Sequence, residues 1–172
     1  GNLGSSLNAN NYFISDTNYG WGPQGIGDAT DIVNWPEWFG PQRSDRVLSA
    51  LYGETEQNSW YTRSLANPGG ENEIIMFKSC FPNSDLWGNP DDPPTPGDYD
   101  YSVGSSKYIY NLLLDYFITR PDKMFVAITA PPLSDSTNAA NARAFNNWLV
   151  YDWLADYPGS NVFVFDFYNV LT

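Results

Sequence analysis

The chain has 172 residues, 42% of them hydrophobic, so it is long and apolar enough for one folded domain over 1–172 and is not a disordered segment. Its net charge of −12, with only eight Lys and Arg, makes nucleic acids and anionic membranes poor partners, and no apolar run approaches the roughly 20 residues of a membrane helix. Histidine is absent and Cys80 is the single cysteine, which excludes a complete Ser-His-Asp, Cys-His or histidine-ligated zinc site within these residues.

The amino-terminal third predicts two helices, one strand and a long loop. A short helix is expected over 2–10, where Leu residues recur at helical spacing, and a short strand over 12–14. A loop rich in glycine covers 19–27. A second helix is expected over 45–52, with Ser44 as its N-cap.

Three tryptophans in this region, Trp21, Trp35 and Trp38, are candidates for substrate binding. Flat apolar sugar faces match aromatic rings, so an exposed cluster of tryptophans would form a surface for stacking against carbohydrate. The alternative is a hydrophobic segment that packs on the rim of the domain. Both interpretations predict an aromatic cluster, and they differ in whether its rings are exposed.

A buried strand over 74–77 is predicted to lead directly into a polar segment. Its four apolar residues are too few for a typical helix, and Pro82 prevents simple continuation of the strand. In open α/β sheets, ligands bind outside the carboxyl ends of the strands. We therefore expect chemistry first at the small polar residues beyond this strand, which are Lys78, Ser79, Cys80, Asn83 and Ser84, with Ser79 as a substrate-binding candidate.

The segment 89–101 is rich in proline and aspartate, which makes a helix implausible. Carboxylate oxygens are hard ligands that suit Ca²⁺, although the spacing matches no EF-hand loop. The candidate calcium ligands are Asp91, Asp92, Asp98 and Asp100. The alternative is a solvated acidic loop, and no other cofactor is expected.

The remainder of the chain alternates between helices and strands. Helices are expected over 103–119 and 138–157, and strands over 123–129 and 161–166. Helices of this length between apolar strands predict a parallel sheet in a three-layer α/β/α domain. Asp166, at the end of the last strand, is a substrate-binding candidate, with a cap on the following turn as the alternative.

Seven segments of the chain resemble a bacterial and archaeal group within the SGNH (GDSL-like) hydrolase superfamily. They are 16–23, 76–85, 91–96, 107–111, 127–133, 140–149 and 164–171. Together they extend over nearly the whole chain. The resemblance implies a flavodoxin-like fold and the hydrolysis of esters, often acetyl esters on carbohydrates.

The resemblance also implies roles for individual residues. Asn83 is the candidate donor to the oxyanion, and Gly20 or Gly22 is the candidate for the glycine of the same oxyanion hole. The nucleophilic serine block and the Asp-x-x-His block of the superfamily are expected upstream of Gly1 and downstream of Thr172. The domain is thus expected to be truncated at both ends, with no complete catalytic site in these residues.

Two functions follow as expectations. The first is the central part of a secreted SGNH-type serine esterase that acts on an acylated extracellular glycan and is inactive as this chain alone. The alternative is a non-catalytic glycan-binding or assembly protein of the cell surface on the same scaffold. A neighbouring chain or subunit is expected to cover the exposed sheet edges, because unpaired edge strands expose backbone hydrogen-bonding groups.

Overall fold

The computed structural model describes residues 6, 7, 9–57, 65–135 and 137–172. Most of the helix expected over 2–10 lies outside the described residues. The chain divides into two compact units. One combines Gly1–Ala29 with Asp45–Asn72, and the other combines Thr30–Ser44 with Glu73–Thr172.

The helices and strands follow the predicted order from residue 45 onward. In chain order the elements are a 3-10 helix Pro23–Asp28, a 3-10 helix Ile32–Asn34, α1 (Trp35–Trp38), α2 (Asp45–Tyr52), β1 (Ile74–Lys78), a 3-10 helix Phe81–Ser84, α3 (Val103–Phe117), β2 (Met124–Ile128), α4 (Ala139–Tyr151), β3 (Val162–Phe165) and α5 (Phe167–Leu171). The helix expected over 138–157 ends at Tyr151, and turns follow it. None of the described helices is long and apolar enough to cross a bilayer.

The strand expected over 12–14 is wrong. The only pairing near it is an isolated parallel bridge between Asp16 and Gln57. The side chain of Gln57 donates to the carbonyl of Ile14 at 3.0 Å, so a side chain occupies an acceptor that a strand partner would use. The apolar residues of this segment therefore do not form a ladder.

The sheet has three strands in the order β1-β2-β3, and both pairings are parallel. Ile74 of β1 is in register with Met124 of β2, and Phe125 of β2 is in register with Val162 of β3. The connections α3 and α4 each join one strand to its neighbour, as in successive β-α-β units. This arrangement confirms a mixed α/β fold built on a parallel sheet.

Helix α3 begins and ends where its sequence allows. The hydroxyl of Ser102 accepts a hydrogen bond from the backbone N–H of Ser105 at 3.1 Å, which caps the first turn after the proline-rich loop. The helix ends at Phe117, shortly before Pro121. This helix therefore spans the sheet once and returns the chain to the start of β2.

One face of the sheet carries the core. Its buried side chains are Ile75, Phe77, Phe125, Ala127 and Val162. Phe117 of α3 stacks on Phe125 with ring centroids 4.0 Å apart, and Phe39 contacts both rings. Aromatic rings therefore form a large part of the core, which accounts for much of the aromatic content of the chain.

The opposite face of the sheet is partly exposed. Its exposed side chains are Ile74, Met76, Met124, Phe163 and Phe165, with 38–45% of each accessible to solvent. The third layer of the expected α/β/α architecture is not formed by the residues that the structure describes.

Replacing Phe117 with Ala should lower the free energy of unfolding by about 4 kcal/mol, because a large cavity opens against Phe125. Ile118 follows directly in the chain and is 41% exposed, so Ile118→Ala should cost less than about 1 kcal/mol. Urea unfolding followed by tryptophan fluorescence measures both. Equal losses for the two variants would contradict this account of the core.

Candidate functional site

The polar loops that follow the three strands meet at the carboxyl edge of the sheet. The hydroxyl of Ser84, after β1, donates to the carbonyl of Pro131, after β2, at 2.6 Å. The hydroxyl of Thr129 accepts from the backbone N–H of Tyr168, after β3, at 2.7 Å. The backbone N–H of Thr129 also donates to the carbonyl of Phe165 at 3.1 Å. Hydrogen bonds therefore connect the three strand ends.

Asn83 is fully buried in this region, and its side-chain amide uses all of its main hydrogen-bonding positions. Its Oδ1 accepts from the backbone N–H of Ile32 at 2.6 Å. Its Nδ2 donates to Asp31 Oδ1 at 3.0 Å and to the carbonyl of Cys80 at 2.8 Å. The amide thus fastens the segment around Ile32 to the end of β1.

Asp31 extends this network to the loop before α3. Its Oδ2 accepts from the phenol of Tyr101 at 3.1 Å, and its carboxylate also accepts from the backbone N–H of Asn34 in a capping box. Burial, with the Asp31 carboxylate beside the phenol, raises the pKa of Tyr101 above its ordinary value. The phenol therefore stays protonated and donates to Asp31 throughout the neutral pH range.

A second buried hydrogen bond lies just after the end of β1, at Ser79. The indole N–H of Trp35 donates to the hydroxyl of Ser79 at 2.8 Å, and Ser79 is only 1% exposed. Burial raises the pKa of Tyr110 to about 12, and hydrogen bonds with Ser79 and Trp35 oppose part of that rise. Ser79, predicted to bind substrate, is here a buried acceptor that holds an indole.

These positions constrain what the edge can do chemically. Both Nδ2 hydrogens of Asn83 already have acceptors, so donation to an oxyanion requires one of them to exchange its partner. A general base of the imidazole type is absent because the sequence has no histidine. The edge is therefore an ordered hydrogen-bonded network without an imidazole base.

Trp35 and Trp38 do not form the exposed stacking surface that was expected. Each is only 3% exposed, and the Trp35 ring packs edge-on against Phe77 at 5.2 Å between centroids. The packed alternative describes these two rings, which lie at the two ends of α1 and gain more free energy by contacting buried side chains than by facing water. Neither ring is available to stack on a ligand in this conformation.

The other predicted candidates at the amino-terminal end belong to the first unit. Trp21 is partly buried, and its indole N–H donates to the carboxylate of Glu54. The backbone N–H of Gly20 donates to Asp28 Oδ1 at 2.8 Å. Gly20 and Gly22 both have positive φ, near 80°, which a side chain would strain. Their part in an oxyanion hole stays a prediction.

Three of the predicted carboxylates, those of Asp92, Asp100 and Asp166, serve as caps or turn acceptors. Asp166 Oδ1 accepts from the backbone N–H of Asn169 at 3.1 Å, so it caps α5, as the alternative interpretation held. Asp92 accepts from the backbone N–H of Asn89, and Asp100 from that of Ser102, each at 2.8 Å. Across the described ranges, no three side chains of His, Cys, Asp or Glu gather as a group that could hold a metal ion, which leaves the calcium ligands Asp91, Asp92, Asp98 and Asp100 without structural support.

The sequence reasoning missed two features of the edge. Trp87 is 57% exposed and Phe81 is 55% exposed, and both lie in the loop after β1. Asp31 and Tyr101, which complete the Asn83 network, were also missed. Trp87 lies in the same polar segment as Asn83, which is a signal that could have found it, but the spacing of Asp31 and Tyr101 in sequence gives no such signal.

A groove of about 470 Å³ lies elsewhere, between the carboxyl-terminal half of α3 and the segment after α4. Its lining combines aromatic and acidic side chains, among them Asp115, Trp148, Asp152, Trp153 and Tyr157. Because α3 ends just before β2 begins, the groove lies toward the amino ends of the strands. It is therefore separate from the polar edge described above.

Comparisons with protein-family models, with curated proteins and with solved structures find no match to this chain.

Replacing Asn83 with Ala should lower the free energy of unfolding by about 3 kcal/mol, because the N–H of Ile32, the Cys80 carbonyl and Asp31 all lose a buried partner. The matched control is Asn89→Ala, since Asn89 is exposed and its amide makes only a 3.4 Å contact with Asp92. That control should change stability by less than about 0.5 kcal/mol. Urea denaturation measures both free energies of unfolding. A loss for Asn83→Ala no greater than that of the control would contradict the proposal that this amide fastens the Ile32 segment to the end of β1.

Proposed function

We propose that the carboxyl edge of the sheet is one wall of an SGNH-type ester hydrolase site that takes an acylated extracellular glycan. The observation that carries this proposal is the meeting of three segments that resemble the superfamily at one edge. They contain Asn83, Thr129 and Asp166. One hydrogen bond joins the segments after β1 and β2, and another joins the segments after β2 and β3. Sites on parallel sheets lie at this edge.

In the proposed reaction, an acyl group passes from the glycan to a serine, and Asn83 donates to the developing oxyanion. One Nδ2 hydrogen would exchange its present acceptor for the substrate oxygen. The base of this chemistry is an imidazole, which the 172 residues do not contain. The chain alone is therefore expected to bind an acylated glycan without turning it over.

A second candidate is a non-catalytic glycan-binding protein on the same scaffold, at the cell surface. It is favoured by the exposed Trp87, which offers an aromatic face whether or not any ester is cleaved. In this candidate, acyl groups on the glycan contribute nothing to binding. A neighbouring subunit over the exposed strand edges stays a prediction for either function.

The side-chain amide signals of Asn83 test the first proposal directly. In ¹⁵N-correlated NMR spectra, partially O-acetylated xylo-oligosaccharides should shift both Nδ2 signals of Asn83. The same oligosaccharides after chemical deacetylation should leave those signals in place. Asn146 is the internal control, because its buried Nδ2 donates to the carbonyl of Ala142 within α4, and it should not move with either ligand.

Equal shifts of Asn83 with acetylated and deacetylated ligand would reject the ester site and favour the binding protein. Steady hydrolysis of p-nitrophenyl acetate by the purified chain, above the rate of heat-denatured protein, would contradict the expected lack of turnover.

A further inference from the structure

Trp87 is an exposed ring on a backbone that is held on both sides. Its N–H donates to the carbonyl of Tyr101 at 3.0 Å, and its carbonyl accepts from the N–H of Val103 at 3.0 Å. The buried side chain of Asn141, on α4, donates to the carbonyls of Leu86 and Gly88 at 2.8 and 3.1 Å. Four hydrogen bonds thus fix the three residues that present the indole.

The residues beside Trp87 fix it further. Leu86 is fully buried, while the next side chain, Trp87, is 57% exposed. Gly88 has φ near +92°, a backbone conformation that strains other residues, and a Cβ there would lie 2.7 Å from Asp92 Oδ2. The loop is therefore shaped so that its apolar anchor points inward and its indole outward.

An indole held in this way is prepared for a ligand. A tryptophan that is more than half exposed lacks the stabilisation that burial of its ring would give. Because the backbone of the loop is fixed, the loop cannot move so as to bury the ring. Because the loop is already ordered, a ligand that stacks on the ring does not incur the cost of ordering it. A single exposed ring also differs from the group of several aromatic rings that typically surrounds a bound ammonium group.

The surroundings select the chemistry of the ligand. The chain carries a net charge of −12, which disfavours phosphate-bearing and other anionic ligands. Asp85 and Asn89 flank the ring in sequence and are exposed, so carboxylate and amide groups that can bind hydroxyls lie close along the chain. A flat, neutral ligand with an apolar face and a rim of hydroxyls fits this combination.

The backbone of Trp87 is connected to the Asn83 network. Trp87 binds the backbone of Tyr101, the phenol of Tyr101 donates to Asp31, and Asp31 accepts from Asn83. We propose that Trp87 is a stacking platform for a pyranose ring of a neutral polysaccharide, next to the polar strand ends. This inference names the substrate class of the site in the proposed function, but it requires binding only and no ester.

The test uses unsubstituted xylohexaose, cellohexaose and mannohexaose, which carry no acyl group. At least one should bind the chain and shift the Trp87 indole N–H signal in ¹⁵N-correlated spectra, a signal identified by its loss in Trp87→Ala. Loss of the stacked ring should weaken affinity at least about tenfold in Trp87→Ala, whereas Trp87→Tyr should stay within about threefold of the natural chain. Tyr151→Ala removes another exposed ring, 71% accessible at the end of α4, and should leave affinity unchanged.

Three results of the binding experiments would overturn the platform: no binding of these sugars at millimolar concentration, equal binding by Trp87→Ala, or a shift of the indole signal by tetramethylammonium alone. Dimerisation in sedimentation that Trp87→Ala abolishes would also overturn it, because a second chain would then cover the ring. If Trp87 fails this test but Asn83 shifts only with acylated ligand, the platform is rejected and the ester site is retained. If Trp87 passes but Asn83 does not respond to acylation, the ester site is rejected and the platform is retained.

Discussion

The hydrogen bonds of the Asn83 side chain are the constraint on which the rest of the second unit depends. The N–H of Ile32 lies in the first turn of a 3-10 helix, where backbone donors have no acceptor within the helix, and Asn83 Oδ1, 51 residues later in the chain, accepts its hydrogen bond. With that segment fixed, α1 follows at once, and the rings of Trp35 and of Phe39, the residue after α1, pack on Phe77. A single buried amide therefore connects the polar strand end to the aromatic core.

The same amide shapes the functional proposal. A donor that helps to stabilise an oxyanion is most effective when it is already oriented, and Asn83 is oriented by Asp31, Cys80 and Ile32. Its donors are also occupied, so catalysis and structure compete for the same hydrogens. The proposed platform has no such conflict, because only the backbone of Trp87 takes part in the hydrogen bonds of the loop and its ring is exposed. In the proposal, the Asn83 amide therefore has both a structural and a functional role, whereas the backbone of Trp87 has the structural role and its ring the binding role.

The sequence allowed the order of strands and helices from residue 71 onward to be predicted, together with the polar strand ends, because apolar runs and proline breaks are local signals. It did not allow us to predict which face of the sheet is buried and which is exposed. The run Ile74–Phe77 predicts burial on both sides, yet Ile74 and Met76 are about 40% exposed while Ile75 and Phe77 are buried. Burial of Trp35, exposure of Trp87 and the pairing of Asp31 with Tyr101 depend on residues distant in sequence, which composition and spacing cannot reveal.

Hydrogen exchange at the backbone amide of Ile32 tests the central claim most directly. If the bond to Asn83 is the clamp, this amide should exchange only on global unfolding, as slowly as that of Phe125 in the middle of the sheet. An exposed turn amide such as Gly69, which donates only to the side chain of Asn67, should exchange fast and provides the lower reference. An Ile32 amide that exchanges at the rate of Gly69 would contradict the account.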